Sequence, residues 1–218
     1  TLIAMPEGGA LWVGVATIVL AVAGLVAAWR MPATAAVDPS LRLDWNVFRA
    51  TWRNVRELTT NRTVFLSCLG ISWFWFFGSI YFTQLPVYTA SVLGGSPAVY
   101  TALLATFSIG VAVGSLLCEK LSGHKVEIGL VPFGAIGMTL FGADVYFAWP
   151  EAVSARGLGI GEWLAMPGAK RVVADLVGMA VFSGFFIVPL FALVQSRSDP
   201  KRRSRVFAAN NILNAVFM

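Results

Sequence analysis

Residues 172–195 read VVADLVGMAVFSGFFIVPLFALVQ. One acid, Asp175, stands near the start, and the rest is apolar or small and neutral until the closing Gln195. A hydrocarbon core about 30 Å thick asks for about 20 apolar residues in a helix. Strands of a membrane barrel would be segments of about ten residues with alternating polarity, and this run does not alternate. Four more runs of the same kind lie at 10–29, 65–85, 98–118 and 128–148, and a sixth opens near Val206. Pro132 and Pro189 do not disqualify the runs that hold them, because neighbouring spans can satisfy the backbone groups a proline frees. The expectation is an all-α, polytopic membrane helical bundle with at least five spans.

Composition agrees. The 218 residues are 57% hydrophobic and 12% charged, with a mean hydropathy of +0.75, where a soluble domain carries about a quarter charged residues. A net charge of +5 could suggest nucleic acid in a soluble protein. Here the charges sit between apolar runs, so they report membrane topology, and no nucleic-acid partner is expected. Cys68 and Cys118 lie within or at the end of apolar runs, which argues for buried, inert thiols and against a disulfide framework or metal cluster. The chain opens at Thr1 without a basic leader and closes on NNILNAVFM, which reads as the start of another span. An internal piece of a longer protein is expected.

The connectors assign the sides. Segment 30–62, the connector after the third run and the connector after the fifth hold thirteen of the sixteen Lys and Arg residues. Connector 86–97 has none, and connector 149–171 has Arg156, Lys170 and Arg171. The positive-inside rule turns the basic side to the cytoplasm. Within 30–62, MPATAAVDPS reads as linker, and a helical pattern follows in which Trp45, Phe48, Trp52 and Val55 share a stripe. Arg42, Arg49, Arg53 and Arg56 fall along one flank, with Ala50, Asn54 and Glu57 opposite. Two readings fit and both can hold: a helix lying in the headgroup layer of an anionic leaflet, or a helix packed on the cytoplasmic ends of the spans.

A span, a long basic linker with an amphipathic helix, then spans in close succession resembles the middle of a major facilitator superfamily transporter. On that resemblance residues 1–29 hold the last span of the N-terminal half, 30–62 the cytoplasmic linker, and 63–218 the C-terminal half from span seven to the start of span eleven. The stretch SLLCEKLSGHK (115–125) looks like the superfamily's cytoplasmic gate signature, with Leu117, Glu119, Lys120, Gly123 and Lys125 in matching roles. It departs in Ser115 for Gly, Glu for Asp, His124 for a basic residue, and the additional Ser122. A narrower resemblance rests on NRTVFLSCLGISWFWFFGSIYFTQLPVY, LLCEKLSGHKVEIGLVPFGAIGMTLFG, GFFIVPLFALVQSRS and RSRVFAANNILNAVFM. These are similar to the bacterial lysophospholipid transporters, especially those fused to acyltransferase and acyl-carrier-protein synthetase domains. That resemblance implies alternating-access movement of lysophosphatidylethanolamine-like lipid across the inner membrane, no cofactor, and a fused or associated acyltransferase as a possible partner. Two alternatives stay open: a superfamily transporter of another solute, and the membrane portion of a fused glycerophospholipid acyltransferase.

No catalytic residue is expected. His124 is the single histidine, and the position five residues on is Gly129, where the acyltransferase pattern has Asp. There is no phosphate loop and no HExxH. Ionisable groups within spans usually have a function, which makes Asp144 and Asp175 candidates for an outer gate or headgroup contact, with a structural ion pair as the alternative. Asn210 and Asn214 share a face one turn apart and need partners. Trp73 and Trp75, in the aromatic run 73–77, are candidates for an apolar wall, and Gln84 for a polar contact beside Pro86, where the second run ends. Gly110 and Gly114 make a GxxxG for close helix packing. The candidate substrate-binding set is therefore Trp73, Trp75, Gln84, Asp144, Asp175, Asn210 and Asn214.

Overall fold

A computed structural model describes residues 9–32, 46–123, 125–148 and 156–218. His124 and residues 33–45 of the linker, with Arg42 and Trp45, lie outside the described residues. The chain divides into two units, residues 1–41 and 42–218. The first holds α1, Gly9–Trp29. Leu11, Ile18, Leu20 and Leu25 are exposed around its circumference, and a helix apolar on all sides belongs in lipid.

The second unit contains α2 (Val47–Leu58), α3 (Arg62–Ser91), α4 (Pro97–Leu121), α5 (Leu130–Phe147), α6 (Ile160–Leu164), α7 (Ala169–Arg197) and α8 (Arg203–Phe217). Helices α1, α3, α4, α5 and α7 are long and apolar enough to cross a membrane. Each span coincides with a predicted run to within a few residues at most ends. One boundary differs. Pro86 does not end the second span: α3 passes through it to Ser91. A mid-helix proline frees one carbonyl and crowds the preceding turn, yet the helix continues through it here. The short α6 was not expected. It begins where the Gly159 amide donates to Glu162 Oε2 at 3.1 Å, and it buries Trp163.

Helix α7 is the hub. In its most apolar stretch 61% of residues are buried, against 28% or less in the other spans. It packs along α4 and α5 and, less extensively, on α3, while α8 lies against α3 and α2. The α4–α7 contact is made backbone to backbone. A Cβ at Gly184 would stand 2.5 Å from the Gly114 carbonyl carbon, and one at Gly110 would stand 2.7 Å from Ala180 Cβ. The two glycines of the GxxxG thus meet α7 directly. The α5–α7 contact combines one backbone approach, where a Cβ at Gly134 would stand 2.5 Å from the Phe186 amide nitrogen, with rings in slots: Phe182 of α7 lies over Gly137, and Phe141 of α5 lies over Gly178. The outward faces of α3, α4 and α5 carry Leu66, Phe76, Ile109, Val113, Ile136 and Leu140, all exposed. A soluble surface seldom carries so extended an apolar patch, so hydrocarbon is its solvent.

The two ends of this unit are tied separately, and the ties agree with the alternation of charge. At one end, the Ser96 amide donates to Leu158 O at 3.0 Å and the Leu158 amide donates to Gly94 O at 3.0 Å, which joins the α3–α4 connector to the α5–α7 connector. At the other end Asn61 Nδ2 donates to Arg197 O at 3.4 Å, which joins the entry to α3 to the exit from α7. The basic connectors share that second end.

Candidate functional site

At the end away from the basic connectors, α5 and α7 present Asp144 and Arg171. Arg171 Nε donates to Asp144 Oδ2 at 2.9 Å, and Nη2 donates to Oδ1. The fork-to-fork geometry fixes both planes. About half of the Arg171 side chain and a third of the Asp144 side chain stay exposed. Asp175, one turn beyond Arg171, lies beside this pair but is 4% exposed, and its Oδ2 finds no hydrogen-bond partner among the described residues. A carboxyl group this buried is costly unless a cation or a donor reaches it. The sequence placed Lys170 and Arg171 near Asp175; the structure gives Arg171 to Asp144 and leaves Lys170 exposed.

An open groove of about 330 Å³ runs between α3, α5 and α7, lined by Ile80, Tyr81, Gln84, Tyr88, Val145 and Leu176 among others. Asp144, Arg171 and Asp175 are not among its lining residues, though their helix neighbours Val145 and Leu176 are. The Tyr88 hydroxyl donates to Val145 O at 3.3 Å across the α3–α5 gap. A second, wholly apolar cavity continues from it through shared walls at Tyr81, Leu85 and Leu176, and reaches Phe74, Trp75, Phe77 and Phe107. Trp75 and Gln84 therefore line connected spaces. Trp73 does not. It is exposed about as much as Trp75, 43% against 40%, but stacks on Phe77 at 5.6 Å between centroids.

Asn210 and Asn214 form a separate site. The Ser72 hydroxyl donates to Asn214 Oδ1 at 2.8 Å, a buried bond between α3 and α8. Asn210 is 1% exposed, and its Oδ1 has no hydrogen-bond partner among the described residues. Other hydroxyls in the spans, including Ser108, Thr139 and Ser183, donate to carbonyls four residues earlier on their own helix and so need no partner across the bundle.

At the basic end, Gly123 adopts φ +57° just after α4, the left-handed conformation that glycine takes without penalty. The Ser122 hydroxyl donates to Glu119 O at 3.0 Å. Glu119 and Lys125 line a small cavity whose far wall is Val188, Pro189 and Ala192 of α7. Lys120 is exposed. The proposed gate motif is thus a tight turn facing the proline of the central span. Sequence reading missed a further tie here: Glu57 Oε1 lies 2.8 Å from Arg202 Nη1, and Oε2 lies 3.7 Å from Arg205 Nη1. The one available signal was the placement of Glu57 opposite the aromatic stripe. Cys68 and Cys118 are free and buried, and no cluster of metal-ligating groups occurs among the described residues.

Apolar spans packed around a central helix define a multi-pass membrane protein. The sequence matches the family model described as Major Facilitator Superfamily over residues 5–218, and the chain belongs to that superfamily. It is accordingly a secondary transporter in a lipid bilayer, in a superfamily of transporters rather than enzymes. No curated protein and no solved structure matches the chain.

Proposed function

We propose that this transporter moves lysophospholipid, of the lysophosphatidylethanolamine type, across a bacterial inner membrane by alternating access. The observation that carries the reading is a pair of adjoining apolar spaces on the same helices as a charged cluster. The groove and cavity beside α3 and α7 are apolar and aromatic, as a single acyl chain requires. Val145 and Leu176 of the groove adjoin Asp144 and Asp175 in the chain. A phosphoethanolamine headgroup carries one phosphate and one ammonium. Arg171, whose Nε and Nη2 are held by Asp144, has its Nη1 edge for the first, and the unpartnered Asp175 Oδ2, buried in this conformation, is an acceptor for the second once the site opens. The stripe of exposed aromatic and aliphatic residues on α3 suits a substrate that keeps its chain against lipid. In the superfamily frame, α1 is span six, α3 to α5 are spans seven to nine, α7 is span ten and α8 opens span eleven. Two halves rocking about a midplane site is the general mechanism of such repeats.

The test is uptake of fluorescent lysophosphatidylethanolamine into spheroplasts carrying the full-length protein. Asp175→Asn, which keeps shape but loses charge, is expected to lower the rate about tenfold, the scale of one charge-assisted hydrogen bond of ~1.5–3 kcal/mol. Asp144→Asn is expected to act in the same direction. Wild-type uptake of the lysolipid at the level of vector-only cells would overturn the substrate. Uptake unchanged in both variants would remove the charged cluster from the headgroup site.

A further inference from the structure

Helix α2 is turned inside out for a helix packed on a protein. At 3.6 residues per turn, Phe48, Trp52, Arg56, Arg49 and Arg53 fall in one arc of about 140°, and all five are exposed. Phe48 is 89% and Trp52 72% exposed. The opposite arc carries Ala50, Asn54 and Glu57, half-buried, and Leu58, 1% exposed. Small and polar residues thus face the bundle, and the two large rings face away from it. Glu57 is the one acid on α2, and it points inward to Arg202 and Arg205. The outward arc is therefore cationic and aromatic with no acid in it.

We infer that the outward arc of α2 docks on anionic phospholipid in the leaflet at the basic end, and that Glu57 transmits this docking to the start of α8. Charge complementarity selects the occupant. Arginines beside rings match phosphate headgroups above acyl chains, and anionic lipid attracts each basic residue near its surface by about 1 kcal/mol. The relay is geometric. Arg202 and Arg205 flank the first turn of α8, and α8 is bonded to the interior through Asn214 and Ser72. A leaflet that holds α2 thereby holds α8. None of this depends on which solute is carried.

The experiment uses the full-length protein in nanodiscs of phosphatidylcholine, titrated with phosphatidylglycerol, and two nitroxide labels, one at Phe48→Cys and one at the exposed Ser204→Cys. The expected result is that the label at 48 leaves water for the acyl region as phosphatidylglycerol rises, while the label at 204 loses mobility over the same range. Arg49→Gln is expected to shift the midpoint about fivefold, the equivalent of 1 kcal/mol. Glu57→Gln is expected to leave immersion at 48 intact and to abolish the response at 204. A label at 48 that is equally wet, or equally immersed, in both lipids overturns the docking, as does one immobilised against protein. A label at 204 that ignores phosphatidylglycerol while the one at 48 responds overturns the relay.

Discussion

Helix α7 meets its two main neighbours by different mixtures of contact. Against α4 it offers Ala180 and Gly184 to Gly110 and Gly114, and the backbones touch. Against α5 the backbones also meet, at Gly134 beside Phe186, but rings in slots accompany that contact, Phe182 over Gly137 and Phe141 over Gly178. Lipid tails are as apolar as leucine, so neither contact is driven by exclusion from water; close van der Waals packing has to hold both. The two solutions differ in stiffness. Backbone against backbone leaves nothing to rotate, and that is all the α4 seam offers at its glycines. A ring in a slot keeps two torsions, so the α5 seam, though fixed at Gly134, has side chains that can re-seat at Gly137 and Gly178. A half that rocks as a unit needs the first kind of seam, and a half that reshapes its groove needs the second.

The sharpest way to break this contrast is at Gly114. A Cβ there would lie within 2.7 Å of the Val181 Cα, and backbone cannot move aside as a side chain can. Gly114→Leu should force α4 off α7 and cost about 3 kcal/mol or more, at the top of the range for overpacking. The full-length protein in detergent should show a large fall in its thermal transition or fail to fold. Gly184→Leu should match it, and the double variant should cost far less than the sum, since both residues occupy one contact. An unaffected Gly114→Leu protein would mean that the seam is loose.

At the second seam the effect should be smaller. Phe182→Ala empties the slot over Gly137, but Phe182 is half-exposed and lipid can refill part of the space. A loss of about 2 kcal/mol is expected, below the ~3–5 kcal/mol of a fully buried phenylalanine. Enlarging the slot residue offers the complementary test. Gly137→Ala should displace the ring rather than the helix and leave the protein folded, as judged by size-exclusion chromatography, while the same change at Gly114 should not.

These differences bear on what could be read from residues alone. The spans were legible because lipid demands long apolar helices, and the sides were legible because Arg and Lys cluster in alternate connectors. Gly110 and Gly114 could be assigned to packing from their spacing. Which helix sits at the centre could not, since a face buried in protein and a face buried in lipid have the same hydropathy. That is why Trp73 and Trp75, exposed to nearly the same degree, differ only in that Trp75 lines the cavity and Trp73 does not, with no sequence sign of the difference. Asp144 and Arg171 lie 27 residues apart, and only helix packing brings them together. Asn214 announced that it needed a partner, but Ser72, on a helix far away in sequence, could not be identified from spacing. Pro86 misled because its effect depends on the packing around it. The inward turn of the polar side of α2 was half legible: Glu57 was placed opposite the rings, but its arginine partners were not.

The smallest expected effect lies where the stiff seam ends. Gly123 closes α4 at φ +57°, and open space surrounds the position where a Cβ would be. Nothing would collide with Gly123→Ala, so the cost should come from conformation alone, about 1 kcal/mol for a left-handed alanine. In detergent this should appear as a shift of the thermal transition well below that of Gly114→Leu. Asn, which tolerates the left-handed region better than Ala, should recover part of the loss at the same position. If Gly123→Ala proved as damaging as Gly114→Leu, the turn would be pressed against something, and the end of α4 would belong to the packed seam. If it proved silent, the turn would reopen without strain, and α4 would be held by its glycines upstream and not by its exit.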